Sequence, residues 1–266
     1  MKIFIFKGGL GNQLFQLVEL KKRLESSTSS NYWIDNSSKY SSDKYHREFL
    51  ISEFLPRLFI LPPFLSSLLW LIFRIIDLLG KDHKRKFVVD GYFHSLDNVI
   101  VIEKVLDDLM IGSPHEQDKS HQGDALKKTV LIHARDFTEG GRFGGENLRE
   151  EYFVKELQTV MSDWRENVVI DITSDNVNIA LKLKSIFKQR FAADVNVISQ
   201  NCPLELIRSF SRYDAFIGSN STLSVWIALV LERGGAEIIM PNIQINTKEG
   251  KWDPSIYCKQ SWLNND

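Results

Sequence analysis

The chain is poor in the features that mark several large protein classes. Its 266 residues include two cysteines, Cys202 and Cys258, and neither belongs to a Cys-x-x-Cys pair. We therefore expect neither a disulfide framework nor a zinc site, and the composition suits a reducing compartment. The formal net charge is −1, which offers no overall electrostatic attraction to nucleic acid. We expect no nucleic-acid partner.

Long uninterrupted apolar runs are also missing. The apolar run at residues 2–6 stops before Gly8 and is too short for the core of a signal peptide. The most apolar segment, residues 54–79, is interrupted by prolines and charges, so it lacks the roughly 20 apolar residues of a spanning helix. We expect a buried or groove-lining helical pair there, in a cytoplasmic protein. The alternative is an interfacial helix that contacts lipid at the cytoplasmic face of a membrane.

What the chain does contain is a regular alternation of strand and helix patterns. This alternation predicts an α/β fold with parallel sheets and helices on both faces. The polar segment 112–128 predicts a boundary between two domains, 1–120 and 121–266. Strands are predicted at 2–6, 32–34, 87–93, 129–133, 168–172, 195–198, 215–217 and 237–240, and helices at 12–25, 148–164, 177–190, 203–213 and 222–233.

Polar residues follow three of the predicted strands. His133 and Arg135 end one strand, Ser174 and Asp175 end the next, and the run 219–222 ends a third and opens a helix. In an open parallel sheet, ligands bind beyond the carboxyl ends of the strands. A guanidinium and a helix N-terminus together suit a diphosphate, and a carboxylate suits a ribose or a base edge. Taken singly, each motif is also explained as a helix cap or a surface turn.

A glycine-rich turn near the N-terminus is a fourth element. Gly9, Gly11, Asn12 and Gln13 lie between a predicted strand and a predicted helix. A dinucleotide fingerprint would have a third small residue where this chain has Leu14, so the pattern is weak for NAD. It predicts a close backbone approach, with the Asn12 and Gln13 amides directed into a cleft between the two halves. The alternative is a tight turn with Asn12 as a helix cap.

These stretches occur together in one order along most of the chain, from residue 8 to about residue 230. In that order they resemble glycosyltransferase family 11, the α-1,2-fucosyltransferases. The stretches that carry the resemblance are Gly8-Gly9-Leu10-Gly11-Asn12-Gln13-Leu14-Phe15-Gln16, Asp90-Gly91-Tyr92-Phe93-His94-Ser95, His133-x-Arg135, Ser174-Asp175 and Ser219-Asn220-Ser221-Thr222-Leu223-Ser224-x-Trp226.

The resemblance implies a GT-B-like fold, with two facing Rossmann-like domains. The N-terminal domain would lie on the acceptor side and the C-terminal domain would bind the nucleotide sugar. It implies GDP-fucose as donor, a galactose-terminated glycan as acceptor, and inverting transfer to the galactose 2-OH in surface polysaccharide biosynthesis. No cofactor and no obligatory metal are implied, which agrees with the lack of an Asp-x-Asp triplet in the sequence.

The resemblance also implies roles for individual residues. Arg135 would stabilise the charge that develops on the departing GDP. His133 would orient Arg135 or the donor, and Asp175 would bind the guanosine. Asn12 would lie near the β-phosphate or the fucose. The remaining binding residues would be Gly9, Gly11, Gln13, Ser174, Ser219, Asn220, Ser221 and Thr222, with Ser221 and Thr222 on phosphate.

The chain departs from the family pattern after His-x-Arg. A second Arg and a Gly are missing there, because Asp136 and Phe137 follow Arg135 directly. Arg142 is a candidate for the missing cation. Asp136 is the candidate base for the acceptor hydroxyl, with an ion pair to Arg135 as the alternative.

Transfer of another GDP-sugar by the same scaffold stays open at this point, and so do two rival functions of other classes. One is a Rossmann-type oxidoreductase that binds NAD(P), for which Asp35 ends the second strand at the expected distance from the glycines. Another is a non-catalytic protein that binds sugar nucleotides or glycans on the same fold. The shortened His-x-Arg motif is its main support.

Overall fold

The chain divides into two compact units, Met1–Leu109 and Met110–Asp266. The computed structural model describes residues 2–26, 32–35, 49–55, 59–79, 88–89, 91–111, 127–136, 150–162, 164, 167–199, 202–210, 212–242, 245–247, 250–252 and 257–263. The predicted boundary at 120/121 lies outside these residues and stays a prediction.

The N-terminal unit is built on a four-stranded parallel sheet with the strand order β3-β2-β1-β4. Its chain runs from β1 through β2 to the β3 edge and then returns to place β4 on the other side of β1. The elements are β1 (Lys2–Ile5), α1 (Leu10–Ser26), β2 (Tyr32–Asp35), a 3₁₀ turn (Ser52–Phe54), β3 (Phe59–Ile60), α2 (Pro63–Leu79), β4 (Val88–Val89) and α3 (Val99–Met110).

The strand predicted over 87–93 is shorter in the structure. Only Val88 and Val89 pair with β1, and residues 91–98 have no regular secondary structure. Phe93 has a φ of +54°, a left-handed conformation that an extended strand cannot contain. The chain therefore leaves the sheet and turns directly after β4.

The helical pair expected within 54–79 is instead the single helix α2, and its apolar side chains are not all buried. Phe64, Leu68 and Leu71 are exposed on its surface, so the prediction of a buried helix is wrong for this face, whereas the groove-lining alternative stays a prediction. Among the described residues, no helix has both the length and the apolar character needed to cross a bilayer.

The C-terminal unit contains a five-stranded parallel sheet with the order β7-β6-β5-β8-β9. An antiparallel hairpin and a 3₁₀ turn (Gln260–Trp262) follow it. The elements are β5 (Lys127–Ala134), α4 (Glu150–Met161), β6 (Asn167–Ser174), α5 (Val177–Arg190), β7 (Ala193–Ile198), α6 (Pro203–Ser209), β8 (Ala215–Ile217), α7 (Thr222–Arg233), β9 (Glu237–Ile239), β10 (Ile245–Thr247) and β11 (Gly250–Trp252).

Both faces of this sheet are covered by helices, because side chains alternate along each strand. Val130, Ile132 and Ala134 of β5 pack in a core with residues of α4 and α5. His133, on the opposite face of the strand, contacts Ser224 of α7. The predicted α/β class with parallel sheets is confirmed.

Element boundaries are the main differences in this unit. The helix predicted over 203–213 ends at Ser209, where Phe210 takes a non-helical conformation (φ −91°, ψ 71°). The helix predicted over 148–164 spans Glu150–Met161. The strands β5 and β6 extend further than predicted because their eight residues pair with each other along their whole length.

Candidate functional site

The order of strands in the C-terminal sheet creates a switch point at β5. From β5 the chain winds outward through β6 and β7, and then returns to place β8 and β9 on the other side of β5. The chain leaves the carboxyl end of β5 toward β6 and leaves the carboxyl end of β8 toward β9, in opposite directions along the sheet. A crevice forms between two such connections, and parallel sheets bind ligands there. Arg135 follows β5, and the turn 218–221 follows β8. These two predicted elements therefore lie at the same edge, on neighbouring strands.

Arg135 forms an ion pair with Asp175, the residue that follows β6. Their side chains are 29% and 34% exposed, so both groups reach solvent. The Asp175 carboxylate also accepts a hydrogen bond from the backbone N–H of Asp136, at 2.9 Å. Burial raises the pKa of Asp175, although Arg135 and the Asp136 N–H act in the opposite direction. The guanidinium is thus held at the sheet edge by a carboxylate whose ionised form is disfavoured by burial.

Asp136 is buried, and its carboxylate accepts a hydrogen bond from the side-chain amide of Asn176 at 2.6 Å. It does not form the ion pair with Arg135 that was considered from the sequence, because Asp175 occupies that position. These contacts favour a structural role, in which Asp136 positions Asp175 and Asn176. Its role as a general base stays an untested prediction.

The N-cap of α5 is a residue outside the Ser174-Asp175 motif. Asn176, and not Ser174 or Asp175, is the N-cap, and its side chain accepts a hydrogen bond from the N–H of Asn178 at 3.0 Å. The Ser174 hydroxyl accepts from the N–H of Asn176 at 3.1 Å. Since these two residues shape the turn, Asp175 is left directed toward Arg135.

The turn after β8 is tightly packed. A Cβ on Gly218 would lie 2.3 Å from the sulfur of Met240, so the glycine leaves room for the Met240 side chain against the turn. Ser219, Asn220 and Ser221 follow and are buried. Ser221 is the N-cap of α7, and its hydroxyl accepts the Leu223 N–H at 3.2 Å. The first turn of α7, which begins at Thr222, therefore opens at the switch point.

His133 is connected to this turn through Ser224. The His133 Nδ1 lies 2.6 Å from the Ser224 hydroxyl, which also accepts the Ser219 N–H at 3.2 Å. Burial, with a smaller effect of Arg135, lowers the pKa of His133 to about 3, so the imidazole is neutral near pH 7. His133 lies on the face of β5 opposite to Val130, Ile132 and Ala134. Through Ser224 it supports the turn of residues 219–221.

Ser224 was not among the predicted site residues. A signal for it is present, because it is a polar residue in the first turn of an otherwise apolar helical run, and buried hydroxyls usually have partners. The identity of that partner required the structure, since His133 is 91 residues away in the sequence.

The N-terminal glycine turn is stabilised by side chains of α1. Gly8 has a φ of +80°, and a Cβ there would lie 2.4 Å from the Asn12 amide nitrogen. Gln13 is fully buried; its amide donates to the Gly8 carbonyl at 3.0 Å and accepts the Leu50 N–H at 3.1 Å. The prediction that Gln13 is directed into a cleft is therefore wrong. Gly11 is buried in the first turn of α1, and Gly9 accepts the Gln13 N–H at 3.1 Å.

A second glutamine connects the ends of two neighbouring strands in this unit, β1 and the edge strand β4. Gln16 accepts the Lys7 N–H at 2.9 Å and donates to the Gly91 carbonyl at 2.9 Å. It thereby connects the segment after β1 to the segment after β4, which are neighbours in the sheet. Sequence reasoning included Gln16 in the motif without giving it a role.

Asn12 contacts the segment that follows β4. Its side-chain oxygen lies 3.0 Å from the Nε2 of His94. Burial lowers the pKa of His94 to about 4, so the ring is neutral near pH 7 and its Nε2–H donates to Asn12. Tyr92 stacks on His94, and the Lys7 ammonium lies 4.6 Å from the Tyr92 ring centre. These contacts form a half-buried polar cluster at the carboxyl edge of the N-terminal sheet.

The NAD(P) interpretation finds no support in this unit. Asp35, which would hold a ribose, is buried and accepts a hydrogen bond from the Ser66 hydroxyl of α2. Leu14, at the place of the third small residue, is fully buried in α1. Both side chains are part of the packing of the unit.

Comparison with known proteins adds one structural likeness. No family model matches the chain, and the comparison with curated proteins gave no match. The chain is similar to a solved structure of a glycosyl transferase family 9 protein from Veillonella parvula, with 10% sequence identity and a TM-score of 0.45. The similarity covers 90% of this chain and 79% of that one.

The structure thus brings together most of the residues predicted for the C-terminal half. Arg135, Asp175 and the turn 219–222 meet at one sheet edge, with His133 behind the turn. Residues 137–149, including the candidate cation Arg142, lie outside the described residues. Among those described, no three His, Cys, Asp or Glu side chains are grouped as metal ligands would be.

Proposed function

We propose that the chain is an inverting glycosyltransferase that moves L-fucose from GDP-fucose to the 2-OH of a terminal galactose, in the biosynthesis of a surface polysaccharide. The order of its motifs, which resembles that of the α-1,2-fucosyltransferases, supports the choice of donor and acceptor. The proposal depends most on one observation: Arg135 follows β5, the N-terminus of α7 follows β8, and these two strands are paired neighbours at the switch point of a parallel sheet.

This arrangement suits a nucleoside diphosphate as leaving group. The acceptor 2-OH would attack C1 of fucose while the bond from C1 to the β-phosphate oxygen breaks, and the bonding electrons would remain on GDP. The growing charge on the phosphate would be stabilised by the Arg135 guanidinium and by the N–H groups of the first turn of α7. The acceptor proton would leave to a base that we do not assign.

The ion pair with Asp175 gives Arg135 a partner when the donor is absent. A diphosphate brings more negative charge and a matching geometry for two parallel N–H donors. It would therefore compete with the carboxylate for the guanidinium. Burial raises the pKa of Asp175 and Arg135 opposes this rise, so losing this partner would raise the pKa of the carboxyl further. Asp175 would then be available to a ribose hydroxyl or the guanine edge.

The first test measures GDP binding by calorimetry for the wild type and for Arg135→Ala and Arg135→Lys. We expect Arg135→Ala to weaken GDP binding at least tenfold, and Arg135→Lys to recover part of the loss, because it keeps the charge without the two-donor geometry. Arg190→Ala, at the exposed end of α5, is the matched control and should bind GDP as the wild type does. The ion pair of Arg135 is about one third exposed, so its loss should change stability little.

The second test measures release of GDP from GDP-fucose, with and without lactose as a galactosyl acceptor. Turnover that requires lactose and falls on the order of 100-fold or more in Arg135→Ala supports transfer. Binding of GDP without turnover would support the non-catalytic alternative. Equal GDP binding by the Arg135→Ala and wild-type chains would remove the basis of the proposal, and tight binding of NAD(P)H instead would favour the oxidoreductase.

A further inference from the structure

The helix α2 carries an exposed apolar stripe. Its members are between 41% and 74% exposed, although all are large hydrophobic residues: Phe64, Leu68, Leu71, Ile72 and Ile75. At about 100° per residue, these five positions fall within an arc of roughly 100° around the helix. They therefore form one continuous surface, which we call the α2 stripe.

The opposite side of the helix holds it on the N-terminal sheet. Leu65 and Leu69 pack against the cluster formed by Ile3, Ile5 and Leu61. Ser66 is buried and donates to the Asp35 carboxylate at the end of β2. Because these contacts come from the other side, the packing that fixes α2 leaves the stripe at the surface.

The size and length of the stripe limit what can cover it. Five large side chains exposed to this extent present on the order of 500 Å², a patch that usually marks an interaction surface. These five described side chains alone fall short of the roughly 800 Å² per partner of a stable protein interface. The helix has 17 residues and is about 26 Å long, shorter than the roughly 30 Å core of a bilayer. A helix lying in the plane of a membrane surface meets both limits.

The charges next to the helix indicate the kind of surface. The sequence that follows α2 has four basic residues and one acidic residue within 81–86, in a chain whose net charge is −1. Basic clusters beside an amphipathic helix are attracted to anionic headgroups. We propose that the α2 stripe binds the surface of an anionic lipid bilayer.

The test uses the full chain and sedimentation with vesicles, and it does not require turnover. Vesicles of phosphatidylcholine alone are compared with vesicles in which about one third of the lipid is phosphatidylglycerol. We expect binding to the anionic vesicles only, weakened as salt is raised because headgroup attraction is screened. The variant Leu68→Asp with Ile72→Asp should bind at least tenfold more weakly, because it places two charges in the inserted face.

The control variant is Val177→Asp with Leu181→Asp on α5. Its residues have the same spacing of four, are 57% and 51% exposed, and change the net charge equally. It should bind vesicles as the wild type does, and both variants should keep the wild-type thermal midpoint, since the substituted side chains are exposed. Equal vesicle binding by the stripe variant and the wild type would overturn the proposal. Equal binding to both lipid mixtures would also overturn it. A third contradicting result would be a wild-type chain that does not bind vesicles but forms a dimer, with the dimer lost in the stripe variant.

Discussion

Replacing Ser224 with alanine should destabilise the C-terminal unit more than the loss of one hydroxyl normally does. Ser224 is fully buried, and its hydroxyl contacts both the His133 Nδ1 at 2.6 Å and the Ser219 N–H at 3.2 Å. Alanine leaves both groups without this partner, in a place that water does not reach. Each buried group left unsatisfied costs about 1–3 kcal/mol. We therefore expect the free energy of unfolding to fall by roughly 2–5 kcal/mol.

Two other serine variants set the scale for this measurement. Ser221→Ala removes the N-cap of α7 and should cost about 1 kcal/mol. Ser209→Ala removes a hydroxyl that donates only to the Leu206 carbonyl within its own helix, and it should cost less than about 0.5 kcal/mol. Urea unfolding followed by circular dichroism gives all three values under one condition.

A double-mutant cycle shows whether the cost arises from the proposed contact. If Ser224 acts through His133, the effect of Ser224→Ala should be smaller by about 1 kcal/mol or more in a His133→Phe background. Ser224→Ala should also weaken GDP binding, because the turn of residues 219–221 loses its support. A Ser224→Ala chain within 0.5 kcal/mol of the wild type would refute the reasoning.

Three further outcomes follow from the described contacts. The pKa of His133 is about 3 in the folded chain and about 6.5 when unfolded, so the unfolded chain binds a proton first as pH falls below 6.5. Between pH 7.5 and pH 5, the free energy of unfolding should therefore drop by about 2 kcal/mol more in the wild type than in His133→Gln. Identical pH profiles would contradict this. Gly218→Ala should lower the thermal midpoint and cost about 1–3 kcal/mol, because its Cβ would overlap the Met240 sulfur; an unchanged midpoint would show that Met240 moves without strain. Ser66→Ala should cost about 1–3 kcal/mol in urea unfolding, because it removes a donor from the buried Asp35 carboxylate; a cost below about 0.5 kcal/mol would contradict this.

Elements with strong local signals could be predicted well. The bounds predicted for α5 and α7 agree with the structure, because the apolar periodicity of each helix begins directly after a polar N-cap residue, Asn176 or Ser221. The strand predicted over 87–93 was too long, since a left-handed Phe93 leaves no mark in the hydrophobic pattern. The end of α6 at Ser209 was missed for a similar reason, because the conformation of Phe210 depends on tertiary packing.

The site shows the same division. The sequence indicated Arg135, Asp175 and the turn 219–222, because each follows a strand and parallel strands place their carboxyl ends at one edge. It did not reveal which carboxylate pairs with Arg135. Asp136 is adjacent to Arg135 in the sequence and was an obvious candidate for its ion pair. In the structure, however, the Asp136 carboxylate contacts Asn176, and Arg135 pairs with Asp175, which follows the neighbouring strand β6.

By itself, the sequence determined the α/β class, the parallel sheets and the edge at which the polar motifs gather. These follow from local periodicity and from the direction of the strands, which neighbouring residues control. Only the tertiary structure decided the partners of His133 and Gln13 and the exposure of the α2 stripe. Such contacts join residues that are far apart in the chain, and they depend on which faces of the helices and strands are covered within each unit.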